Sequence, residues 1–139
     1  MIKLVTFTDG GSRGNPGPAA CGAVIKSETG KIILQASKYI GKTTNNQAEY
    51  GALILALEKV LEAYRKEKKQ IDLKCYLDSE LVVKQLKKEY RMKNEGLKPL
   101  FAQVCDLILN FNSVKFFHIP REENKLADKL VNIELDKRR

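Results

Sequence analysis

Residues 6–25 read TFTDGGSRGNPGPAACGAVI, and within them a β-rich run that ends in an acid meets a segment of glycines and prolines. Residues that favour strands dominate at 3–9 and again at about 21–28, while the segment between them is rich in turn formers. A third β-rich run at about 31–40 follows the short segment ETG. We therefore predict a meander of three antiparallel strands, with Asp9 at the end of the first.

Helical and strand patterns alternate in the rest of the chain. Leu53, Leu57 and Leu61 are among the apolar residues that recur at helical spacing in the first of these segments. The predicted segments are a helix at 48–64, a strand at 71–78, a helix at 79–90, a helix at about 97–110, a strand at 113–119 and a closing helix at about 123–135. We expect Gly96 and Pro99 to separate the second helix from the third.

The order of these elements mixes hairpins with strand-helix-strand crossovers. Such crossovers join parallel strands, so the first, fourth and fifth strands are predicted to be parallel. The predicted fold class is α/β, with a five-stranded mixed sheet and helices on both of its faces. In sheets of this kind, sites form beyond the carboxyl ends of the parallel strands, where Asp9 and Asp78 are predicted to lie.

The composition limits the number of domains and the charge of the partners. A chain of 139 residues with 43% hydrophobic residues suits one domain, residues 1–139, with a core of its own. Its 25 Lys and Arg against 17 Asp and Glu leave a net charge of +8. This charge favours a polyanionic partner, either nucleic acid or an acidic membrane surface, and does not choose between them.

The apolar segments and the cysteines indicate a reducing compartment. No run approaches the roughly 18 apolar residues of a membrane span, and no cleavable leader pattern is present at the N-terminus. We therefore expect a cytoplasmic protein without a membrane partner. Cys21, Cys75 and Cys105 fit neither a disulfide framework nor a zinc motif, and we predict that they are reduced core residues.

Four acidic residues are candidates for a functional site, although each has a structural alternative. Asp9 could belong to a turn, and Asp78 could cap the helix that follows it. Glu49 stands three residues after Asn46, as the glutamate of a capping box would. Asp128 could be one more exposed charge on the closing helix.

The helical positions of two of these acids favour function. Glu49 shares a helical face with Leu53 and Val60, and a lone carboxylate buried on that face would be costly. Asp128 lies above Val131 rather than on the fully polar side of its helix. If all four carboxylates converge in one cleft, divalent cations would relieve their repulsion, and oxygen ligands suit Mg²⁺ or Mn²⁺. Two such ions about 4 Å apart can activate a water and stabilise the leaving oxygen at a phosphate.

The glycine-rich segment matches neither of two common nucleotide-binding motifs. It lacks the G-x-G-x-x-G order of dinucleotide folds. Gly17 and Gly22 have the spacing of a P-loop, but Ala23 and Val24 stand where that loop requires Lys and Ser or Thr. We interpret the glycines as turn formers or as positions of close backbone approach.

Four motifs span most of the chain. They are TDGGSRGNPGPAACG at 8–22, TTNNQAEYGALILAL at 43–57, YLDSELVVKQL at 76–86 and HIPREENKLADKL at 118–130. In order and spacing they resemble the type 1 ribonuclease H family, and most of all the compact ribonucleases HI of prokaryotes. The resemblance implies the ribonuclease H-like fold and endonucleolytic hydrolysis of the RNA strand of an RNA–DNA hybrid, which leaves 3′-hydroxyl and 5′-phosphate ends.

The resemblance also implies roles for the four acids. Asp9, Glu49, Asp78 and Asp128 match the metal-binding catalytic carboxylates of the family. Two Mg²⁺ ions, with Mn²⁺ as a possible substitute, are expected together with the substrate. In that scheme Asp9 bridges both ions, Glu49 and Asp78 support one of them, and Asp128 supports the other.

The single histidine has two interpretations. His118 lies ten residues before Asp128, which is the separation of a family histidine that assists proton transfer and product departure. Strand alternation places it on the same side as Val114 and Phe116, so a partly buried structural histidine is the alternative.

Nine positions resemble the substrate contacts of the family. Short amides and bare backbone suit the shallow minor groove of the hybrid, where ribose 2′-hydroxyls distinguish RNA from DNA. Thr44 and Asn94 resemble a pocket for a phosphate of the DNA strand, and capping of the first helix is the alternative for two of the asparagines. The positions are Gly10, Gly11, Ser12, Asn15, Thr44, Asn45, Asn46, Lys93 and Asn94, and the asparagines with a capping alternative are Asn45 and Asn46.

A basic cluster begins near the end of the third motif and continues beyond it. It is either a solvated helix face or a source of sequence-independent attraction for phosphates. Its members are Lys84, Lys87, Lys88, Arg91 and Lys93.

The chain departs from the family pattern in two respects. Many bacterial relatives carry a longer basic protrusion with tryptophans, whereas this chain has no Trp and only KKEYRMKNEGLKP at 87–99. No accessory hybrid-binding domain is expected before Met1.

Two rival functions stay open. One is a binding module that does not cut, and the presence of all four acids argues against it. The other is a DNA-cutting relative, and the Asn and Gly residues that resemble minor-groove contacts argue against it. We expect a monomer.

Overall fold

Five strands form one mixed sheet in the computed structural model, which describes residues 1–138. The strands are β1 (Ile2–Ser12), β2 (Gly17–Ser27), β3 (Ile32–Thr43), β4 (Ile71–Leu77) and β5 (Ser113–His118). Their order across the sheet is β3-β2-β1-β4-β5. The first three strands pair antiparallel, while β1, β4 and β5 run parallel. The predicted mixed sheet and its parallel strands are therefore confirmed.

Helices cover both faces of this sheet. They are α1 (Asn45–Ala63), α2 (Glu80–Leu86), α3 (Lys98–Ile108) and α4 (Lys125–Asp136), with short 3-10 helices at Arg65–Gln70 and Arg121–Glu123. The main core lies under α1, where Leu53 and Leu57 pack with Leu4 and Leu73 of the sheet. A smaller cluster joins Val131 and Leu135 of α4 to Ala20 on the other face.

The first strand is longer than predicted, because it continues through its glycines. Antiparallel pairing with β2 extends to Ser12, which lies opposite Ala19, whereas parallel pairing with β4 ends at Thr8. Asp9 is therefore inside β1 and is the first residue beyond the parallel ladder. The predicted end of the strand at Asp9 is wrong, but the predicted position of Asp9 at the carboxyl edge of the parallel strands is correct.

The second helix is shorter than the predicted segment 79–90. It ends at Leu86, after which Lys88 adopts a positive φ of 64°. The amides of Glu89 and Tyr90 then bond to the carbonyl of Lys84, which closes the helix end. Residues 87–91 are exposed and have no core to pack against, so they do not continue the helix in spite of their helical spacing.

Two further predictions concern membranes and cysteines. Within residues 1–138, none of the helices combines the length and the apolar character that crossing a membrane would require. Cys21 and Cys75 are buried free thiols, as predicted, and Cys105 is a free thiol that is only partly buried.

Candidate active site

Three carboxylates from separate parts of the chain meet at the carboxyl edge of the parallel strands. Asp9 extends from β1 just past the end of its pairing with β4, and Asp78 is the first residue after β4. Glu49 comes from the first turns of α1, which packs on β1. One oxygen from each lies within 4.8 Å of the others, a spacing that lets one cation contact all three.

The fourth acid lines the same cleft from α4. Asp128 is half-buried, and its carboxyl group is one of the neighbours that raise the pKa of Asp9. It is not in the group of three whose oxygens lie within 4.8 Å. The cleft has a volume of about 370 Å³ and is lined by Asp9, Gly10, Gly11, Ser12, Arg13, Asn45, Asn46, Glu49, Asp78, Ser79, Arg121, Asp128, Val131, Asn132 and Leu135.

The structural alternatives for Asp9, Glu49 and Asp78 are wrong. Asp9 is paired with Gly22 inside β1 and is not in a turn. The capping box of α1 is formed by Thr44 and Gln47, whereas Glu49 lies two residues further along the helix and lines the cleft. The N-cap of α2 is Ser79, whose side chain accepts a hydrogen bond from the amide of Val82, so Asp78 does not cap that helix.

Burial and neighbouring charge raise the pKa of two of the three carboxylates, Asp9 and Glu49. Burial raises the pKa of Asp9 from 3.8 to about 7, and the charge of Asp78 is the second cause. Burial also raises the pKa of Glu49 well above 4.5, followed by the charges of Asp9 and Asp78. Asp9 and Glu49 are therefore costly to ionise until a positive charge arrives.

The donor set fits a hard divalent cation. Oε1 of Glu49 accepts a hydrogen bond from the amide of Gly10 at 3.1 Å, but Oε2 is buried and receives none from residues 1–138. A buried carboxylate oxygen without a donor is costly unless a cation is near. Asp9 and Asp78 supply further oxygen ligands beside it, which is the ligand chemistry of Mg²⁺ and Mn²⁺.

Gly10 allows the close approach of β1 and α1 that places Glu49. A Cβ at this position would lie 2.1 Å from the carbonyl oxygen of Ala48, so only glycine fits. The sequence predicted Gly10 as a substrate contact. In the structure it lines the cleft, but its amide is used to orient Glu49.

Asn124 is a site residue that the sequence did not reveal. Its side chain is 1% exposed, and Nδ2 donates to the carbonyl of Thr8 at 2.7 Å and to Oδ2 of Asp78 at 3.1 Å. It stands directly before α4, the helix that carries Asp128. Asn124 therefore joins the ends of β1 and β4 to the start of α4 and fixes the acids relative to one another.

The residues predicted to contact the minor groove lie beside the acids, and several of them form hydrogen bonds with one another. Oδ1 of Asn45 accepts from the amide of Ser12 at 2.8 Å and from its hydroxyl at 3.0 Å. Oδ1 of Asn15 accepts from the amide of Asn45 at 3.0 Å. The N-cap of α1 is Thr44, so capping by Asn45 or Asn46 is wrong.

A second pocket adjoins these residues. It has a volume of about 490 Å³ and brings Thr44 and Asn94 together, as predicted for a phosphate site. Oδ1 of Asn94, a residue that lines the pocket, accepts hydrogen bonds from the amides of Gly96 and Leu97. Lys93 is exposed and does not line this pocket.

Comparison with known proteins identifies the family. The family model described as reverse transcriptase-like matches residues 7–133. The ribonuclease HI of Halobacterium salinarum is 40% identical over 96% of this chain and 65% of its own length. The chain belongs to the type 1 ribonuclease H family.

Two further ribonuclease H relatives span nearly the whole chain. The crystal structure of LC11-RNase H1, a protein isolated from compost, in complex with an RNA/DNA hybrid is 44% identical with a TM-score of 0.92. That match covers 96% of this chain and 97% of the other. The bifunctional protein Rv2228c of Mycobacterium tuberculosis is 38% identical over 97% of this chain. The chain spans 36% of the length of that relative.

The histidine of the ribonuclease H motif lies at the same edge as the acids. His118 ends β5 and is in register with Leu77, which directly precedes Asp78. Its side chain is exposed, so the alternative of a partly buried structural histidine is wrong. It is not among the residues that line the acidic cleft in the described part of the chain.

The predicted basic cluster is exposed in part and lies around the end of α2. Lys84 pairs with Glu80 at 3.4 Å and lies over the ring of Tyr90, while Lys87, Lys88 and Arg91 are exposed. None of the five residues of the cluster lines the acidic cleft.

Proposed function

We propose that this chain is a metal-dependent endoribonuclease that hydrolyses the RNA strand of RNA–DNA hybrids and leaves 3′-hydroxyl and 5′-phosphate ends. The observation that carries the proposal is the meeting of Asp9, Glu49 and Asp78 within 4.8 Å, in a chain of the ribonuclease H family. The fold alone would not indicate a nuclease, because one fold hosts many functions.

Asp9, Glu49, Asp78 and Asp128 are proposed to hold two Mg²⁺ ions, or Mn²⁺ in their place, when the substrate is present. Such ions would supply a deprotonated water as the nucleophile and a positive charge at the leaving oxygen. Asp9 is central among the four, because both Asp78 and Asp128 raise its pKa. This central position supports its assignment as the ligand shared by both ions.

The rest of the site holds these ligands in place. The amide of Gly10 orients Glu49, and the side chain of Asn124 orients Asp78. These hydrogen bonds fix the acids before a cation binds, so less reorganisation is needed during the reaction. His118, exposed at the same edge, is proposed to assist proton transfer and the departure of the product.

The groove beside the acids is proposed to read the RNA strand. Gly11, Ser12, Asn15, Asn45 and Asn46 present small or amide groups toward the minor groove, where the 2′-hydroxyls lie. Thr44 and Asn94 are proposed to hold a phosphate of the DNA strand, with Gly10 and Lys93 as further contacts. LC11-RNase H1, whose structure contains an RNA/DNA hybrid, supports this assignment through its similar fold.

The decisive experiment is cleavage of a hybrid labelled on its RNA strand. With Mg²⁺ or Mn²⁺ the wild-type protein should cut the RNA, and with a chelator or after Asp9→Asn it should not. Asp106→Asn is the matched control, since Asp106 is an exposed acid on α3 away from the cleft. An RNA strand that stays intact with metal present would indicate a binding module, and equal cutting of an all-DNA duplex would indicate a DNA-cutting relative.

A further inference from the structure

The sheet face opposite α1 carries two rows of side chains, one across β1, β4 and β5 and the other across β2, β1, β4 and β5. In one row, Phe7 lies opposite Tyr76, and Tyr76 lies opposite Phe117. In the adjacent row, Val5 lies between Lys26 and Lys74, and Lys74 lies opposite Lys115. We call these seven side chains, Val5, Phe7, Lys26, Lys74, Tyr76, Lys115 and Phe117, the open face.

The aromatic row forms a stacked strip that is only partly covered. The ring centroids of Phe7 and Tyr76 are 5.1 Å apart, and those of Tyr76 and Phe117 are 5.4 Å apart. All three side chains are half-buried. Lys26 lies over one end of the strip, 4.9 Å from the Phe7 centroid, and Lys87 lies 5.9 Å from that of Phe117. The strip therefore exposes ring edges flanked by amines.

The adjacent row, which we call the cationic row, contains Lys26, Val5, Lys74 and Lys115. Its lysines lack acidic partners. Lys74 and Lys115 are exposed and directly opposite each other on neighbouring strands, and like charges so placed repel. Within residues 1–138, no carboxylate lies within 4.0 Å of the amines of Lys26, Lys74 or Lys115. An anion from outside the chain would relieve this repulsion.

The nearby acids are already engaged or lie at the far side of the face. Glu28 is 4.0 Å from the amine of Lys3. Oδ1 of Asp72 accepts from Asn112 and Ser113, both at 2.7 Å. Glu122 and Glu123, in the 3-10 helix before α4, line a hollow together with Phe7 and Lys26, and no residue of β4 or β5 lines that hollow. The β4 and β5 side is therefore the more positive part of the face.

The aromatic row of the open face lies close to the acidic cleft along the strands. Phe7 and Tyr76 each precede a cleft acid by two residues, which corresponds to about 7 Å along a strand. A hollow of about 330 Å³ lies along the cationic row. Its lining includes Val5, Lys74, Tyr76 and Lys115, together with Lys3 and the two engaged acids, Glu28 and Asp72. A nucleic-acid strand that leaves the cleft at this edge of the sheet would reach both rows of side chains.

We propose that the open face binds a single-stranded segment of nucleic acid. The amines of Lys26, Lys74 and Lys115 would contact its phosphates, and the aromatic strip would contact its bases along their edges and faces. Positive grooves beside aromatic side chains are the usual means by which proteins hold single strands without sequence preference. This binding goes beyond the proposed cleavage and does not depend on it.

The test measures binding of a fluorescent oligothymidylate to the full chain by anisotropy, with chelator present so that no metal contributes. Lys74→Gln/Lys115→Gln should bind roughly ten-fold more weakly at moderate salt, and its slope of log affinity against log salt should fall by about 1.4. Arg65→Gln/Lys66→Gln is the matched control, because it removes the same charge from the exposed turn after α1. The control should keep the wild-type slope.

Photocrosslinking locates the contact independently of charge. An oligonucleotide that carries 4-thiothymidine should crosslink to Tyr76 or Phe117. Equal affinity of the two double variants, or crosslinks confined to the cleft, would overturn the proposal. So would poly-glutamate that competes as well as an oligonucleotide of equal charge, because the face would then suit acidic proteins. Absence of hybrid cleavage would count against the proposed function alone, because this binding is measured without cleavage.

Discussion

The backbone amide of Gly10 donates a hydrogen bond of 3.1 Å to Oε1 of Glu49, across the closest approach between β1 and α1. This contact joins a strand to a helix that begins more than thirty residues later in the sequence. It positions one acid of the candidate site by means of the backbone, so the geometry of the site depends on a residue without a side chain.

Gly10→Ala should damage both stability and metal binding. The added Cβ would lie 2.1 Å from the carbonyl oxygen of Ala48, so β1 and α1 must separate. We expect a loss of about 1–3 kcal/mol in the free energy of unfolding and weaker binding of Mn²⁺. Denaturant unfolding and metal calorimetry measure these effects. Gly11→Ala is the control for stability, because its nearest neighbour, Cγ1 of Val131, would be 3.7 Å from the new Cβ.

Without metal, the stability of the protein should fall as the pH rises from about 4 to about 7, the range between the unfolded and folded pKa values of Asp9. Its pKa is raised from 3.8 to about 7 in the folded state, so in that range the folded state binds a proton that the unfolded state has released. The free energy of unfolding therefore decreases from about pH 4 to about pH 7 and stays low above it. The raised pKa of Glu49 acts in the same direction.

Asp9→Asn should remove much of this dependence. At about pH 8 without metal, the variant should be more stable than wild type by roughly 1–3 kcal/mol, and at about pH 4 the two should be similar. Mg²⁺ should raise the melting temperature of the wild type and leave that of the variant nearly unchanged. A variant less stable than wild type at the higher pH would contradict the interpretation that Asp9 is a destabilising buried charge.

Asn124→Ala should lower activity by displacing Asp78. It removes the donor to the carbonyl of Thr8 and to Oδ2 of Asp78, at a cost of about 1–3 kcal/mol in stability. We expect weaker metal binding and a lower kcat, measured by calorimetry and hybrid cleavage. Asn112→Ala is the matched control, since that exposed asparagine donates to Asp72 at the opposite end of β4. Wild-type metal affinity in the Asn124 variant would show that Asp78 does not need this contact.

His118→Ala should slow turnover and leave metal binding intact. The side chain is exposed at the end of β5 and is not among the carboxylates that meet within 4.8 Å. If it assists proton transfer, kcat should fall by on the order of a hundred-fold or more. Steady-state cleavage of the hybrid gives kcat, and a thermal shift with Mg²⁺ reports metal binding. An unchanged kcat would remove His118 from the proposed mechanism.

The elements that the sequence misplaced are those whose ends depend on partners distant in the chain. The end of β1 depends on β2, which continues to pair with it as far as Ser12 after β4 has stopped at Thr8. Helical spacing continues to residue 90, but α2 stops at Leu86 because nothing packs against the residues that follow. Spacing alone does not show which of the apolar positions will find a core.

The residues of the candidate site also include some that the sequence predicted and one that it did not. The meeting of Asp9, Glu49 and Asp78 was predictable, because the carboxyl ends of parallel strands share one edge of the sheet and a lone Glu49 on an apolar helix face would be costly to bury. Asn124 gave no such signal, since an asparagine before a helix is an ordinary cap residue. Its contacts with Thr8 and Asp78 exist only after α4 has packed across the sheet.

From the sequence alone came the order of strands and helices, the parallel strands and the identity of the acids, because periodicity and residue chemistry are local properties. The tertiary structure alone decided that Gly10 and Asn124 hold the acids in place, and that lysines and aromatic rings share one open face of the sheet. Those relationships join residues that are far apart in the chain. They follow from strand register and helix packing, which are set only when the whole core is formed.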